Sequence, residues 1–331
     1  MKLKVYTEDN LFEQLEPEWN ELLRRSTADN IFSTWEWQFT WWNAYRPGGL
    51  WVITCRDDDD RLVGIAPWFI DNDRSLSQIG CIDVTDYMDI IVDESNFEMV
   101  VDSFAEFLSE HKAEYDSIHL CNIPETSPTF KQLPNALEAH GFEVEVDQLD
   151  VCPLIELPDT WADYLLLLDK KHRHELRRKM RRANGSSEKI DWYTVDSSHD
   201  LVAEMERFLK LMAASDTEKQ EFLQDEKNVE FFKQFAPLAL ENGWLQLNFL
   251  TVGGEAASTY LNFDYNNSIF VYNSGLLPDR YSYLSPGILL LAHNIRDAIE
   301  KGYSIFDFLR GDEQYKYHMG GKDTAIYMIT A

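Results

Sequence analysis

The residues best suited to chemistry lie at a single turn, formed by Ser285, Pro286 and Gly287. A helix is predicted after it, because apolar residues recur there at helical spacing: Ile288, Leu291, Ala292, Ile295 and Ile299. Proline is favoured at the first position of a helix, and a glycine beside it leaves the backbone amides uncovered. Free amides and the positive end of the helix dipole attract anions. Together with Arg280, the turn predicts a phosphate site, although an ordinary capped helix start fits the same residues.

Two strands must position this turn. The apolar run of residues 269–272 predicts a buried strand before it, and residues 303–309 predict another strand after the helix, which ends at Gly302. A strand that leads into an uncovered helix start is a common place for a phosphate group. The chain is therefore predicted to be organised around the strand, turn, helix and strand of residues 268–316.

An ordered set of motifs in this stretch resembles a known family. The set comprises Arg280, Tyr281-Ser282, Ser285-Pro286-Gly287, Leu289-Leu290, Gly302, Phe306-Asp307-Phe308, Gly311 and Tyr315-Lys316. Its first part resembles the pyrophosphate-binding loop of GNAT acyltransferases, in which an arginine or glutamine precedes a glycine-rich turn and a helix. The whole set resembles the BioF2-like acetyltransferases (the CelD/BcsL group), which are relatives of the Fem peptidoglycan aminoacyltransferases.

The resemblance implies an α/β (α+β) fold with two tandem GNAT-like domains, each a mixed central sheet flanked by helices. A chain of 331 residues is long enough for two domains. Residues 1–150 show a complete α/β alternation without a turn like that at Gly287, and this domain is expected on the acceptor side. Residues 151–331 are expected to bind acyl-CoA. A Trp-led hairpin in each half, at Trp51 and at Trp244, is a weak internal repeat that agrees with this division.

The resemblance also assigns the donor contacts. Acyl-CoA, and acetyl-CoA in particular, is the implied co-substrate, with its thioester beside Ser274, Gly275 and Leu276. Its diphosphate is assigned to the residues of the turn and to those just before it, namely Arg280, Tyr281, Ser285, Pro286 and Gly287.

Acyl transfer to an amine needs a base for the ammonium proton, a donor for the oxyanion and a proton for the departing thiolate. Lys316 matches the family's lysine near the C-terminus and is the expected oxyanion donor. Tyr315 or Tyr281 is the expected proton donor. Asp307 is the expected base, and a purely structural hydrogen-bonding role is the alternative for this mid-strand carboxylate.

Two features of the first half are candidates for acceptor binding. The resemblance places an aromatic segment near the acceptor cleft, so Trp37 or Phe32 is expected to line it. It also implies that Asp86 and Tyr87 face the acceptor. Core packing is the alternative for the aromatic residues, and a plain polar loop is the alternative for Asp86 and Tyr87.

Charge is unevenly distributed along the chain. The formal net charge is −28, which disfavours general attraction to nucleic acid or to anionic membranes. Residues 170–182 nevertheless contain eight basic residues and one acidic residue, and helical spacing places Arg173, Arg177 and Arg181 in one outward row. We interpret this row as a site for a phosphate-rich ligand or an acidic carrier protein. Neutralisation by nearby acidic side chains is the alternative.

Cysteine, histidine and hydropathy patterns exclude several classes of protein. The four cysteines, Cys55, Cys81, Cys121 and Cys152, are widely spaced, and buried free thiols are expected. The histidines at 172 and 174 lack the spacing of a zinc-protease motif, so no metal site is predicted. No apolar run approaches the roughly 20 residues that span a bilayer, and the first residues lack the apolar core of a signal peptide. A cytoplasmic protein is therefore expected.

These observations lead to one main hypothesis and two alternatives. The main hypothesis is an acyl-CoA-dependent N-acyltransferase, and specifically an N-acetyltransferase. It would transfer an acyl group other than an aminoacyl group directly to a small amine or amino sugar held in a cleft between the domains. The first alternative is a Fem-like aminoacyltransferase that uses charged tRNA. The second is a non-catalytic module that holds an acidic partner.

Overall fold

The computed structural model describes residues 1–81 and 84–331. These residues form two compact units: Met1–Val151 with Thr324–Ala331, and Cys152–Asp323. The sequence analysis placed the whole C-terminal segment in the second domain. In the structure the last strand instead pairs within the first unit, where Ile326 and Ile329 are fully buried.

The strands are β1 (Lys2–Tyr6), β2 (Gly48–Leu50), β3 (Val52–Arg56), β4 (Leu62–Ala66), β5 (Trp68–Asp71), β6 (Ser75–Gln78), β7 (Ile91–Val92), β8 (Ser117–Pro124), β9 (Glu145–Val151), β10 (Leu154–Glu156), β11 (Ile190–Thr194), β12 (Leu245–Val252), β13 (Glu255–Tyr265), β14 (Ser268–Leu276), β15 (Ile305–Asp307) and β16 (Ala325–Thr330). The helices are α1 (Leu11–Leu23), α2 (Trp35–Tyr45), α3 (Phe97–Glu110), α4 (Pro128–Ala139), α5 (Trp161–Leu167), α6 (Lys170–Asn184), α7 (Leu201–Ser215), α8 (Thr217–Phe222), α9 (Glu226–Glu241), α10 (Pro286–Lys301) and α11 (Gln314–His318).

The first unit contains two sheets, with strand orders β1-β3-β4-β7 and β2-β5-β6-β8-β16-β9. A hairpin pattern over residues 50–70 predicts a single second strand from residue 61 to residue 70. This prediction is wrong, because the strand is interrupted at Pro67 and forms β4 and β5, which join different sheets. Proline has no amide hydrogen to continue a ladder. The sequence of residues 77–92 predicts a pair of neighbouring strands. In the structure β6 instead pairs with β8, and β7 pairs with β4. Residues 82 and 83 of that prediction lie outside the described residues.

The cysteines of the first unit are only partly as expected. Cys81 and Cys121 form a disulfide, so the expectation of free thiols is wrong for this pair. The cause is the pairing of β6 with β8, because Cys81 follows β6 closely and Cys121 lies in β8. Cys55 and Cys152 are buried thiols outside this disulfide, as predicted, and burial raises the pKa of Cys55 to about 11.

The second unit is built on one six-stranded sheet, with order β10-β15-β14-β13-β12-β11. Its pairs are antiparallel except for the parallel pair of β14 and β15. On one face, Tyr260 of β13 packs in the same core as Leu176 of α6 and Leu290 of α10. The other face is covered by α7 and α9, where Phe235 packs against Phe263 of β13. The basic segment is therefore a helix on the same face of the sheet as the helix that follows the predicted phosphate turn.

Candidate functional site

A gap opens between the two parallel strands of the second unit. Residues Ser268–Phe270 of β14 pair with Ile305–Asp307 of β15, and β15 then ends. β14 continues through residues 271–276, still paired with β13 on its other edge. The β13–β14 register shifts between Leu261 and Asn262, as at a bulge, which increases local twist. Among the described residues, no strand pairs with this edge of β14 beyond Phe270, and we call it the free edge in that sense. It leads toward the turn before α10.

The start of α10 is uncovered. Ser285 adopts the left-handed conformation, with φ +57°, and its side chain makes no capping hydrogen bond to the helix. Pro286 occupies the first turn, as predicted. A Cβ placed on Gly287 would have only Leu276 within 4 Å, at 3.5 Å from its Cδ2 atom, which is an ordinary contact. The fold therefore does not itself require a glycine here, and the missing side chain leaves space beside the first-turn amides.

Two cations of α6 hold the turn in place. Lys179 Nζ donates to Ser285 Oγ at 2.7 Å, and Arg182 donates to the backbone oxygen of Tyr283 at 2.6 Å. Both side chains bring positive charge to the entrance of α10. Helical spacing places Arg182 beside the outward row, but it does not predict that Lys179 and Arg182 contact the turn, because that contact joins segments far apart in the chain. The signal was the Lys179 and Arg182 pair on the neighbouring faces of the same helix.

A cavity of about 260 Å³ lies at the first turn of α10. It is lined by His172, Glu175, Leu176, Lys179, Ile288, His318 and Met319. A wider cavity of about 700 Å³ shares His172, Glu175 and His318 and adds Lys170, Lys171 and His174. The rings of His172 and His318 lie 4.0 Å apart, and burial, followed by the charges of His172 and Lys171, lowers the pKa of His318. Lysines and imidazoles thus dominate the polar lining, which favours an anionic ligand.

Acidic side chains of the described residues neutralise basic residues beside the outward row of α6 but not the row itself. Glu175 binds Arg178 at 2.6 Å and lies 3.8 Å from Lys179. Across the described part of the chain, no carboxylate forms an ion pair with Arg173, Arg177 or Arg181. The alternative of neutralisation therefore accounts for the sides of the helix and not for this row.

Arg280 and Tyr281 are bound to a carboxylate of their own unit. Arg280 Nη1 and the Tyr281 hydroxyl each donate to Glu255 at 2.6 Å. The hydrogen bond to Glu255 raises the pKa of Tyr281. Arg280 is thus paired with Glu255 in the structure, and any contact with a diphosphate requires it to exchange that partner.

The three strand residues expected beside a thioester have different surroundings. Gly275 packs against α7, where an added Cβ would lie 2.3 Å from the backbone nitrogen of Met212. Leu276 lies beside Gly287. Ser274 accepts two hydrogen bonds from Lys219, a residue that sequence analysis did not single out. Ser274 and Leu276 therefore border the gap, whereas Gly275 serves the packing of α7.

Lys316 has different partners from those expected of an oxyanion donor. Its side chain is 2% exposed, and Nζ donates to the backbone oxygens of Leu309 at 3.0 Å, Arg310 at 2.6 Å and Gly311 at 3.0 Å. Glu313 lies 2.8 Å from the same nitrogen. Leu309 has φ +58°, a conformation that is unfavourable for leucine. The ammonium group therefore stabilises a tight turn after β15, and its three N–H groups are all used there.

Asp307 and Tyr315 lie near this turn. Asp307 is 4% exposed and accepts a hydrogen bond from the Leu309 amide at 2.7 Å, which matches the structural alternative for this carboxylate. Tyr315 packs edge-on against Phe308. Burial, followed by the neighbouring Tyr260 and Glu313, raises the pKa of Tyr315 well above its usual value. Tyr315 is thus protonated at neutral pH, as a proton donor must be.

The candidate acceptor residues of the first unit are largely buried. Trp37 is fully buried, and its Nε1 donates to Thr85 Oγ1 at 3.0 Å. Phe32 packs edge-on against Trp37 and lies near Tyr87, which is also buried. Trp37 therefore occupies a core position, which is the alternative given above. Asp86 is half-buried and remains the member of this group best placed to meet a ligand.

Comparisons with known proteins agree with the geometry of the second unit. Residues 170–317 match the family model described as "Acetyltransferase (GNAT) domain". This segment contains the basic helix, the gap beside β14, the start of α10 and Lys316. No curated protein matches the chain in sequence.

Solved structures extend the likeness to the whole chain. The crystal structure of FemX has a TM-score of 0.66 at 11% identity, and the match covers 99% of this chain and 97% of FemX. L-PGS from Bacillus licheniformis has a TM-score of 0.59 at 12% identity, with 95% and 90% covered. A tandem GNAT protein from the clavulanic acid biosynthesis pathway has a TM-score of 0.51 at 10% identity, with 100% and 98% covered. At these identities the likeness shows the fold alone.

The fold and the family match together define the class. The chain has a mixed α/β architecture whose structural neighbours are tandem GNAT folds, and most of its second unit matches the GNAT acetyltransferase domain model. Among the described residues, no helix is both long and apolar enough to cross a membrane. The expected cytoplasmic location stays a prediction.

Proposed function

We propose that this protein is an acyl-CoA-dependent N-acyltransferase of the BioF2-like type that acetylates a small amine or amino sugar by direct transfer. The observation that carries the proposal is the free edge of β14 that leads to the uncovered start of α10. Such an edge offers backbone hydrogen-bonding groups to an extended pantetheine chain, and the helix start offers amides and dipole to a diphosphate. Acyl-CoA is a second substrate here, and the proposal needs no metal.

The donor contacts follow from the distances in the second unit. Lys179 lies beside Ser285 and lines the cavity at Ile288, so it is placed to neutralise a diphosphate at the first turn of α10. Because Gly287 has no side chain, the phosphate oxygens can reach the first-turn amides of α10. Arg280 adds a third positive group if it leaves Glu255. Ser274 and Leu276 contact the acyl arm along the gap.

The remaining assignments concern the acceptor and proton transfer. Tyr315, protonated and half-buried beside Lys316, is proposed to return a proton to the departing thiolate. Asp307 is proposed to orient the turn after β15 through the Leu309 amide, rather than to act as base. We keep Asp86 as a candidate contact for the acceptor, and Arg173 and Arg177 for any phosphate that the acceptor carries.

The test replaces Gly287, because a side chain at this position is expected to affect coenzyme binding without disturbing the packing of the fold. Gly287→Asp places a carboxylate where the diphosphate is expected, while an acid in the first turn favours the helix itself. We expect acetyl-CoA affinity, measured by isothermal titration, to fall at least about 100-fold, since close like charges oppose binding by several kcal/mol. Gly287→Ala is the matched control and should keep the stability of the wild type.

Two results would contradict the proposal. One is the absence of binding of acetyl-CoA or longer acyl-CoAs to the wild-type protein. The other is equal affinity of Gly287→Asp and wild type, which would place any bound coenzyme elsewhere.

A second candidate is transfer of an aminoacyl group from charged tRNA. The observation that favours it is the row of Arg173, Arg177 and Arg181, with which no carboxylate of the described chain forms an ion pair. This row would attract an RNA backbone in spite of the net charge of −28. Acyl-CoA binding with no effect of ribonuclease supports the main proposal. Activity that requires charged tRNA and is lost after ribonuclease treatment supports the second candidate instead.

A further inference from the structure

Lys219 lies at the gap between β14 and β15. It comes from α8, a helix absent from the sequence predictions, and it is half-buried. Its Nζ donates to the backbone oxygen of Ser274 at 2.7 Å and to the Ser274 hydroxyl at 3.2 Å. Ser274 belongs to the part of β14 beyond its last pair with β15, while β13 occupies the other edge. The ammonium group of Lys219 is therefore held at the edge of β14 that no described strand pairs, where it donates to the Ser274 backbone oxygen.

The charges around Lys219 distinguish it from Lys316. Asp216 and Glu313 are the acidic groups that act on it, and burial lowers its pKa. Glu313 also lies 2.8 Å from Lys316 Nζ, so it is shared between two ammonium groups. All the N–H groups of Lys316 donate hydrogen bonds at the turn after β15. Lys219 donates two of its N–H groups to Ser274, and across the described residues its third N–H has no hydrogen-bond partner.

We propose that Lys219 is the catalytic residue that stabilises the oxyanion of the acyl transfer, in place of Lys316. This inference rests on the proposed function. An acyl thioester that lies along the free edge of β14 has its carbonyl oxygen within reach of an ammonium group fixed to Ser274. A donor already fixed in a partly buried site stabilises the developing charge without reorganisation.

The acyl transfer forms one bond and breaks another at the thioester carbon. The acceptor amine nitrogen forms a bond to the thioester carbon, and the carbonyl π electrons move to the oxygen, which Lys219 holds. The carbonyl re-forms as the carbon–sulfur bond breaks, and the sulfur leaves as thiolate. The amine nitrogen gives up one proton to solvent and the thiolate takes one proton, so that an amide and free coenzyme A result.

The test measures the thioester carbonyl directly, so it does not depend on knowing the acceptor. Acetyl-CoA labelled with ¹³C at the carbonyl is bound to the full-length protein, and its carbonyl band is recorded by isotope-edited infrared spectroscopy. We expect a shift to lower wavenumber in the wild type and a band close to the solution value in Lys219→Met. Lys210→Met, which removes an exposed lysine of α7, is the matched control and should resemble the wild type.

A kinetic measurement accompanies the spectra. With a panel of amino sugars, release of coenzyme A in a single turnover should be slower by about 10²–10³-fold in Lys219→Met, with acetyl-CoA affinity changed only a few-fold. Lys219→Gln keeps a donor for Ser274 without the charge, and it takes the place of Lys219→Met if that variant does not fold.

The outcomes separate this inference from the function on which it rests. If the neutral Lys219 variant binds acetyl-CoA with the wild-type carbonyl band, the role of Lys219 is disproved while the transferase proposal stands. If the wild type does not bind acetyl-CoA, the proposed function itself is disproved.

Discussion

Two lysines of the second unit, Lys316 and Lys219, have different surroundings, and we propose different roles for them. Lys316 is surrounded by three backbone oxygens and one carboxylate. Lys219 donates two hydrogen bonds to Ser274 at the edge of β14, and its third N–H has no hydrogen-bond partner among the described residues. The family resemblance identifies Lys316, because it matches the family's lysine that follows an aromatic residue near the C-terminus. It does not identify Lys219, because the proposed role of this residue depends on the approach of α8 to β14 through space.

Replacement of Lys316 tests its structural role. Lys316→Met leaves the oxygens of Leu309, Arg310 and Gly311 without their donor, and it leaves Glu313 without its partner. We expect the free energy of unfolding to fall by about 3 kcal/mol in chemical denaturation. Lys322→Met, which removes an exposed lysine nearby, should change it by less than about 0.5 kcal/mol. If Lys316→Met is as stable as this control and yet inactive, Lys316 is a catalytic donor after all.

At the scale of elements, the site depends on a helix and a strand that approach each other closely. β14 can pack against α7 only because residue 275 has no side chain. The resemblance placed Gly275 beside the thioester, but sequence alone does not reveal which face of the strand a glycine must serve. By contrast, α10 was predicted well, since its apolar spacing and the Pro286 and Gly302 boundaries are local signals.

A small substitution tests this packing. In Gly275→Ala the added Cβ would lie 2.3 Å from Met212 nitrogen and 2.4 Å from Leu211 carbonyl carbon, and backbone atoms cannot move aside cheaply. We expect a loss of about 3 kcal/mol or more in unfolding free energy, as for severe overpacking. Gly49→Ala is the control, because nothing lies within 4 Å of a Cβ there. Equal stability of the two variants would show that α7 is loosely held.

At the scale of the whole molecule, chain order and spatial order differ at the end of the sequence. β16 follows the second unit in the chain, yet it lies between β8 and β9 in a sheet of the first unit. Periodicity and turn residues predicted the alternation of helices and strands in both halves. They did not predict β16, since the partner of a strand is fixed by long-range contacts and not by its own residues.

Deletion of residues 324–331 tests this arrangement. Without β16, β8 and β9 each lose their shared neighbour, so hydrogen exchange should become faster in Ser117–Pro124 and Glu145–Val151. Residues 245–265 of the second unit, which form β12 and β13, should keep their protection and serve as the internal control. Unchanged exchange in β8 would contradict the pairing described here.

The position of β16 also has a consequence for biosynthesis. Domains at the start of a chain generally fold while the ribosome is still adding residues. Here an interior strand of the first unit is translated only after the whole second unit. One sheet of the first unit therefore lacks an interior strand until the ribosome has added the whole second unit.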